Sequence, residues 1–363
     1  MGFVCHLFLI NIILIIVPFL LSSNALTTWD IDYSYYFSSV VGILFVAAAI
    51  RFIQTHSPKP SLRDLLINGV MSAAALAAIF ILAKPHFRVL YDEIDFIGIS
   101  RTFFENHANK LCIGGSIAED SIHCDFWKLN VRGTFGPFVI SLVHSLLGYS
   151  INHGFLVNAI CGFLIFFFGA LFLERYNFSI PLKGAWMFTL LAFPSFSQTI
   201  CSAGVSPLFL LFLLLLLLFF SDFWKDLSKV RLHLVILSLA IIASIRLEAI
   251  LFLIPLGPSL FYGLFQLKKT RRSIPTEFYA VALVFYPAII HARTIPFDVL
   301  QSAESIPFLL RHFMDNAPSN LLFLFGIKPF DIVQIILCIF FIAWMVLALS
   351  RSSAWQRNRP VTA

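Results

Sequence analysis

The sequence is poor in charged residues. Asp, Glu, Lys and Arg make up 12% of its 363 positions, whereas a soluble domain carries about 25%. Hydrophobic residues make up 59%, and a chain of this length cannot bury that much apolar surface in its own core. The scarcity of charge therefore excludes a soluble protein and predicts a polytopic integral membrane protein.

Two further absences exclude other classes of protein. The cations are spread over short loops without a basic stripe, so the net charge of +6 does not indicate nucleic-acid binding. No CxxC or HxxxH spacing occurs, so we predict no metal site. Without an internal repeat or a low-complexity linker, we expect one transmembrane domain over 1–363, with N-terminal spans (1–83), an external loop (84–134), core spans (135–265) and C-terminal spans (266–363).

The chain does contain many apolar stretches long enough to cross a bilayer as helices, which takes about 20 residues. The clearest runs from Leu208 to Phe220, where no side chain has a polar atom. These stretches predict an all-α transmembrane bundle of about ten spans, at 3–23, 36–53, 66–83, 153–173, 184–201, 207–221, 231–245, 249–265, 277–291 and 328–349. Residues 135–148 are apolar but short, so we expect a half-inserted or interfacial helix there.

The first apolar stretch has two interpretations. Ser23–Asn24–Ala25 resembles a signal-peptide cleavage site after an apolar region. The residues before that region, however, offer only His6 and no Lys or Arg. The stretch is therefore either a span or a cleaved signal.

The Lys and Arg residues of the short loops predict the orientation, because they favour the cytoplasmic face. Loop 24–35 contains Asp30 and Asp32 but no cation, and we place it outside together with loop 84–134. Both termini and the 266–276 loop are then cytoplasmic, in an inner or plasma membrane or in the endoplasmic reticulum of a eukaryote. The cytoplasmic set is Arg51, Lys59, Arg63, Arg175, Lys183, Lys225, Lys229, Arg231, Lys268, Lys269, Arg271, Arg272, Arg351, Arg357 and Arg359.

Cysteine positions bear on the external loop. Cys112 and Cys124 lie twelve positions apart in it and are either a disulfide or two free thiols. The other cysteines lie in apolar stretches, where we expect small buried side chains: Cys5, Cys161, Cys201 and Cys338.

The most informative chemistry lies at the start of the external loop. Directly after a predicted span, three carboxylates fall within four residues: Asp92, Glu93 and Asp95. Apolar residues then share one helical face at i, i+3 and i+7: Phe96, Ile99 and Phe103. The pattern predicts a helix that lies flat on the bilayer, with Asp92 as its N-cap and Asp95 at its third position. Its simplest interpretation is a capped interfacial helix.

Two other charged positions accompany this cluster. Arg132 precedes Gly133–Thr134–Phe135–Gly136–Pro137, a turn that leads into an apolar helix. Arg246 and Glu248 interrupt two apolar stretches at the same predicted face. Charged groups at such breaks are costly and often functional, although a salt bridge across the turn is the alternative.

Four sets of segments occur in order along 84–265: Tyr91–Asp92–Glu93 with Phe96 and Gly98, Thr134–Phe135–Gly136–Pro137 with Leu147–Gly148–Tyr149–Ser150, Phe193–Pro194–Ser195 with Ser206–Pro207, and Ser244–Ile245–Arg246–Leu247–Glu248. In this order they resemble the membrane glycosyltransferases that take a sugar from a polyprenyl-phosphate carrier. This GT-C class includes the protein O-mannosyltransferases and the bacterial aminoarabinose transferases. The acidic pair of this chain follows its third span rather than its first, and Pro137 stands alone where many members have two prolines.

The resemblance implies inverting transfer of a sugar from polyprenyl phosphate to a lipid, glycan or protein acceptor at the external face. It implies no cofactor and gives no indication of a divalent metal. Asp92 would be the general base or would orient the acceptor, with Glu93 supporting it, and Arg246 would hold the leaving phosphate. Weaker candidates for binding substrate are Arg132, Lys84, Glu248 and Asp95.

Two other functions stay open. A transporter or flippase of a lipid-linked saccharide would contain charged or Gly/Pro-broken helices at the bilayer midplane, usually with a repeat. A polysaccharide polymerase or ligase of the O-antigen type also has about ten spans and a large external loop. In such proteins, however, that loop usually sits later in the chain and carries Arg-rich motifs, whereas loop 292–327 here has only Arg293 and Arg311.

Overall fold

The computed structural model describes residues 18, 20–55, 61–87, 90–118, 121–130, 132–176, 178–225, 227–271 and 281–294. The predicted span 328–349, almost all of span 3–23, loop 292–327 apart from its first residues, and the cysteines at positions 5 and 338 lie outside these residues. The described helices are α1 (Ser23–Thr55), α2 (Leu62–Leu82), α3 (Leu90–Asn106), α4 (Phe135–Leu147), α5 (His153–Arg175), α6 (Ile180–Ala192), α7 (Pro194–Ile200), α8 (Ser206–Lys225), α9 (Lys229–Ile245), a 3₁₀ helix (Leu247–Phe252), α10 (Leu253–Arg271) and α11 (Val281–Thr294).

The protein is a mainly helical membrane protein. Four of the described helices are long and apolar enough to cross a membrane, over Asn24–Thr55, Leu62–Leu82, His153–Glu174 and Ser206–Trp224. Helices also form at the other described stretches that we predicted as spans, but they are shorter or interrupted. The count of ten spans therefore stays a prediction.

The predicted external loop contains one β-hairpin in an otherwise helical chain, consistent with the expected all-α membrane fold, over the described residues. Strands β1 (Lys110–Ala118) and β2 (Ser121–Leu129) pair antiparallel, with irregular register around Gly114 and Gly115. Cys112 and Cys124 form a disulfide across this hairpin, and their Cα atoms are 5.7 Å apart. Of the two alternatives for these cysteines, the structure therefore has the disulfide.

Two helix boundaries differ from the sequence prediction, and a third agrees with it. Residues 24–35 are not a loop, because α1 already begins at Ser23. The predicted span 184–201 is broken at Phe193, which is extended because Pro194 disfavours the helical conformation of the residue before it. The break predicted at Arg246 is confirmed, because α9 ends at Ile245 and the extended residue Arg246 leads into the 3₁₀ helix.

Helix α9 lies at the centre of the described fold. Every residue from Leu234 to Ile245 is buried, and α9 contacts α1, α4, α8 and α11. A helix that is apolar on all sides is expected to be surrounded by other elements. Because Arg246 follows the last residue of α9 directly, the break at Arg246 is anchored to the core.

The ends of α2, α5 and α6 are joined by a buried polar network. Lys183 Nζ lies 2.8 Å from Glu174 Oε2 and 3.2 Å from Asn68 Oδ1, and the Asn68 amide also donates to Glu174. Lys183 is 5% exposed, so it is not the loop cation that we assumed for the orientation. It ties three helices together, while the orientation itself stays a prediction.

Helix α3 carries the acidic cluster, and its predicted apolar face packs inside the protein. Phe96, Ile99 and Phe103 are all buried in the hydrophobic core, and α3 packs against α4 and β1. A face that packs inside the protein is not available to the bilayer surface, so the expectation of an interfacial helix with this face in lipid is wrong. Asp92 lies in the first turn, after Leu90, and is not the N-cap.

Helix α4 confirms the short apolar helix expected at 135–148. It has 13 residues, which gives a length of about 20 Å, too short to cross the hydrocarbon core. Its buried face includes Phe135, Phe138 and His144. The helix is therefore part of the core, beside the acidic cluster of α3.

Candidate functional site

The acidic start of α3 meets the turn before α4. Arg132 Nη2 lies 2.5 Å from Asp92 Oδ1, and the two side chains are 38% and 40% exposed. The hydrogen bond with Asp92 raises the pKa of Arg132 further above its already high value. Asp92 Oδ2 makes no hydrogen bond to the described residues, so one oxygen of the carboxylate is held while the other is open to a ligand.

Asp95 belongs to the same cluster. Burial raises the pKa of its carboxyl; Arg132 and Lys128 lower it in part, and Asp92 raises it again. The guanidinium carbon of Arg132 also lies 5.7 Å from the centre of the Phe96 ring, which supports the arginine from beneath. The cluster thus contains two carboxylates around one shared arginine.

Glu93 points away from this pair and into the protein. It is 2% exposed, and its Oε2 accepts a hydrogen bond of 3.3 Å from the backbone N–H of Ala203. A Cβ atom on Gly204 would lie 3.7 Å from Glu93 Oε1, so the carboxylate rests on this turn. Glu93 therefore fixes the turn between α7 and α8 and is not exposed to a substrate.

Arg246 reaches the same region from the break after α9. Its Nη2 donates to Ser206 Oγ at 2.7 Å, and its guanidinium carbon lies 5.4 Å from the centre of the Phe209 ring. Among the described residues no ion pair joins Arg246 to Glu248, and both are exposed. The salt bridge considered for this turn is therefore not formed.

One close backbone contact and one pair of side-chain hydrogen bonds connect these segments. A Cβ atom on Gly133 would lie 2.1 Å from the carbonyl oxygen of Ile245, so the turn of Arg132 touches the end of α9 next to Arg246. The turn held by Glu93 leads directly to Ser206, which binds Arg246. Asp92, Glu93, Arg132 and Arg246 thus belong to one connected region.

The remaining predicted residues contribute less. Lys84 is exposed in the segment after α2, and the structure describes no contact between its side chain and another candidate residue. The segment itself is anchored to the α7–α8 turn, because the N–H of His86 donates to Cys201 O at 3.0 Å. Glu248 lies on the 3₁₀ helix without a described partner in the site.

Sequence reasoning missed the polar residues beside Arg132. A small cavity of about 30 Å³, room for about two water molecules, lies behind this arginine. Polar side chains from α1, the ends of the hairpin and α11 line it, including Asp30, Asn109, Asn130 and Tyr286. Sequence reasoning did not select Asp30 because it assigned residues 24–35 to a loop. The two asparagines that flank the hairpin are a signal that sequence reasoning could have used.

A second missed cluster lies between α3, α4 and α5. Ser100 Oγ is 3.0 Å from His144 Nε2, and His144 Nδ1 is 2.7 Å from His153 Nδ1. Burial, with a smaller contribution from His153, lowers the pKa of His144 to about 4. Ser100 and His144 are fully buried, so this network joins helices and is closed to substrates.

Comparisons with protein-family models, with curated proteins and with solved structures found no match to this chain. Within the described residues, no group of three or more His, Cys, Asp or Glu side chains is arranged to hold a metal ion.

Proposed function

We propose that this chain is an inverting membrane glycosyltransferase, which moves a sugar from a polyprenyl-phosphate carrier to an acceptor at the external face of the membrane. One observation carries the proposal. Asp92, an open carboxylate, pairs with Arg132, and the turn of Arg132 packs against the end of α9 directly before the second guanidinium, Arg246, so three distant segments of a membrane protein meet. The order of motifs along 84–265, which resembles the GT-C class, supports the same function.

Asp92 would serve the acceptor. Inversion requires the acceptor oxygen to attack from the side opposite the leaving phosphate, and a carboxylate within hydrogen-bond reach can take its proton. Arg132 holds Asp92 Oδ1, which leaves Oδ2 for the acceptor hydroxyl. If the acceptor is itself a phosphate, Asp92 orients it and Arg132 supplies the positive charge.

Arg246 would serve the lipid-linked donor. Only one nitrogen of its guanidinium donates a hydrogen bond in the described structure, to Ser206. The guanidinium therefore has further donors for a phosphate. Exposed apolar side chains follow Arg246 in the sequence: Leu251 is 57% and Ile254 is 71% exposed. A cation at the start of a segment with exposed apolar residues suits an amphiphile whose phosphate lies above its hydrocarbon tail.

The proposal uses no cofactor. The leaving group is the carrier phosphate, and its developing charge is stabilised by guanidinium groups in place of a metal ion. The acceptor is a lipid, a glycan or a protein, and the membrane is an inner or plasma membrane or the endoplasmic reticulum. Glu93 acts through the 203–204 turn and is a positioning residue in this scheme.

The test is turnover of a labelled polyprenyl-phosphate sugar, with membrane extract as acceptor. Asp92→Asn keeps the size and the hydrogen bond to Arg132 but removes the base, so the rate should fall by about 10²-fold or more. Glu93→Gln should be milder, because Gln can still accept from Ala203, and Asp95→Asn milder still. Asp64→Asn, at the start of α2 and far from the site in sequence, is the matched control.

Two results would count against this assignment, at matched expression and matched melting temperature. Normal turnover of Asp92→Asn with a dead Asp95→Asn would show that the wrong carboxylate was chosen. Normal turnover of all three site variants would mean that the cluster only supports the start of α3. The enzyme function would then lose its main support.

A transporter or flippase of a lipid-linked saccharide is the second candidate. It is favoured by the break between α6 and α7 at Phe193 and by the buried ion pair of Lys183 with Glu174, since broken helices and buried charges mark transport paths. Lys183 lies in the first turn of α6, however, at the opposite end of that helix from the break. Movement of a fluorescent carrier across liposomes without sugar transfer would favour this candidate.

A further inference from the structure

Two asparagines close the base of the β-hairpin. Asn109 directly precedes β1, Asn130 directly follows β2, and Asn130 Nδ2 donates to Asn109 Oδ1 at 3.0 Å. Asn130 then binds the turn of Arg132 from both sides. Its Oδ1 accepts from the Arg132 N–H at 2.8 Å, and its Nδ2 donates to the Arg132 carbonyl at 3.1 Å.

The other end of this chain of hydrogen bonds lies on α1. Asn109 Nδ2 donates to Asp30 Oδ2 at 3.3 Å, and the Asn109 N–H donates to the Ile31 carbonyl at 2.8 Å. Ser34, one turn further along α1, donates to Asp30 Oδ1. Asp30 is 7% exposed, and Asn109 is fully buried. A continuous relay therefore runs from Asp30 through two amides to the backbone of Arg132.

The carboxylate sets the direction of this relay. A side-chain amide has one end that donates and one that accepts, whereas an ionised carboxylate only accepts. Asp30 therefore requires Asn109 to present its NH₂ group, which leaves Asn109 Oδ1 for the NH₂ group of Asn130. The carbonyl of Asn130 is then left facing the Arg132 N–H, where an inverted amide would place two donors against each other.

We propose that Asp30, near the start of α1, is a positioning residue for Arg132, acting through Asn109 and Asn130 to set the turn that presents the guanidinium to Asp92. Its importance for turnover rests on the proposed function, but its effect on Arg132 does not. Asp30 lies about 100 positions before Arg132 and touches neither Asp92 nor Arg246 in the described contacts.

The choice of substitution matters because of the adjoining cavity. The space of about 30 Å³ beside Asp30 can hold water, and a water in an Ala variant could replace the lost acceptor. Asp30→Leu keeps the branched shape and the number of side-chain heavy atoms, and its larger methyl groups leave little room for such a water. Asp30→Asn keeps one oxygen for Asn109 and turns its NH₂ group toward Ser34, whose hydroxyl can accept.

The test measures the exposure of the Arg132 guanidinium directly. The full chain in detergent micelles is labelled with phenylglyoxal, an arginine-selective reagent, and the rate at each arginine is followed by mass spectrometry. Asp30→Leu should raise the rate at Arg132 about fivefold, the population change expected for loss of a hydrogen bond. Arg101, paired with Glu105 at 2.7 Å on α3, is the internal reference and should not change.

An isosteric series keeps the test valid if Asp30→Leu fails to fold. Asn109→Asp places two carboxylates together. At the alkaline pH of arginine labelling, about pH 9, neither should hold a proton that could bridge them, so the first hydrogen bond is lost and labelling of Arg132 should rise as in Asp30→Leu. In the exchange variant Asp30→Asn/Asn109→Asp, the new amide at position 30 donates to the new carboxylate at position 109. That carboxylate still accepts from Asn130. Labelling in Asp30→Asn and in the exchange variant should stay within about twofold of wild type.

The outcomes separate the two proposals. A folded Asn109→Asp variant with wild-type labelling, or an exchange variant that stays as reactive as Asn109→Asp, overturns the positioning role of Asp30. A wild-type protein that transfers no sugar overturns the proposed function, while the labelling series still decides the role of Asp30. If labelling follows the series but turnover of Asn109→Asp is normal, Arg132 is positioned by Asp30 and is not needed for transfer.

Discussion

The substitution Gly133→Ala tests whether the site depends on the contact between the turn of Arg132 and the end of α9. An added Cβ atom would lie 2.1 Å from the Ile245 carbonyl oxygen and 2.5 Å from the Ser244 carbonyl oxygen. Real Cβ contacts essentially never fall under 3.0 Å, so the two segments must separate by about 1 Å. Both neighbours are backbone atoms of a fully buried helix end, which cannot move aside as a flexible side chain could.

Two measurements follow from this displacement. Overpacking of this kind costs about 1–3 kcal/mol, so the melting temperature of the purified protein should fall by about 3–10 °C. A misplacement of about 1 Å in a reacting geometry can cost 10²-fold in rate, so turnover should fall by about that factor even at temperatures where the variant is folded.

Gly69→Ala is the matched control for this prediction. A Cβ atom on Gly69 would meet nothing within 4 Å, and the residue lies inside α2, where Ala is favoured over Gly. Its melting temperature should therefore stay the same or rise slightly, with unchanged turnover. If Gly133→Ala behaves like Gly69→Ala in both measurements, the turn of Arg132 and α9 are not in the contact described here.

Two further predictions concern stability. Lys183→Met removes the cation that Glu174 faces at 2.8 Å in a largely buried setting, so it should lower the free energy of unfolding by about 3 kcal/mol. The control Arg51→Ala, at an exposed position, should leave the stability almost unchanged. Equal melting temperatures for the two variants would contradict the buried ion pair. Because the pKa of His144 is lowered to about 4 from 6.5, the folded state binds fewer protons than the unfolded state between these pH values. The contribution of neutral His144 to the free energy of unfolding should therefore be fully present above pH 6.5 and decrease toward pH 4. His144→Gln should flatten that fall in thermal unfolding measured across the same range, and an equally steep fall would assign it to other groups.

The sequence predicted the apolar elements better than their surroundings. The spacing of Phe96, Ile99 and Phe103 correctly indicated one buried helical face, because that periodicity reflects burial whatever does the burying. It could not tell lipid from protein, since both are apolar. The same limit explains the prediction of a flat interfacial helix where the structure has a helix packed on α4.

The hairpin escaped prediction for a different reason. Its strands contain little alternation, and the paired glycines at 114 and 115 fall where the register is irregular. The pair Cys112 and Cys124 was the indication that the sequence analysis used for a contact between these segments, and the disulfide confirms that contact. A cross-link inferred from the predicted compartment was thus more informative than local propensity.

The charged residues show what sequence can and cannot supply at the site. Asp92, Arg132 and Arg246 stood out because charge is scarce in this chain, but their partners depend on how closely distant backbones approach. That approach is set by neighbours without side chains: Gly133 follows Arg132 and meets Ile245, and Gly204 lies two positions before Ser206 and meets Glu93. A glycine directly after an isolated charge, as Gly133 follows Arg132, is therefore informative in itself, because it allows the backbone carrying that charge to lie directly against another element.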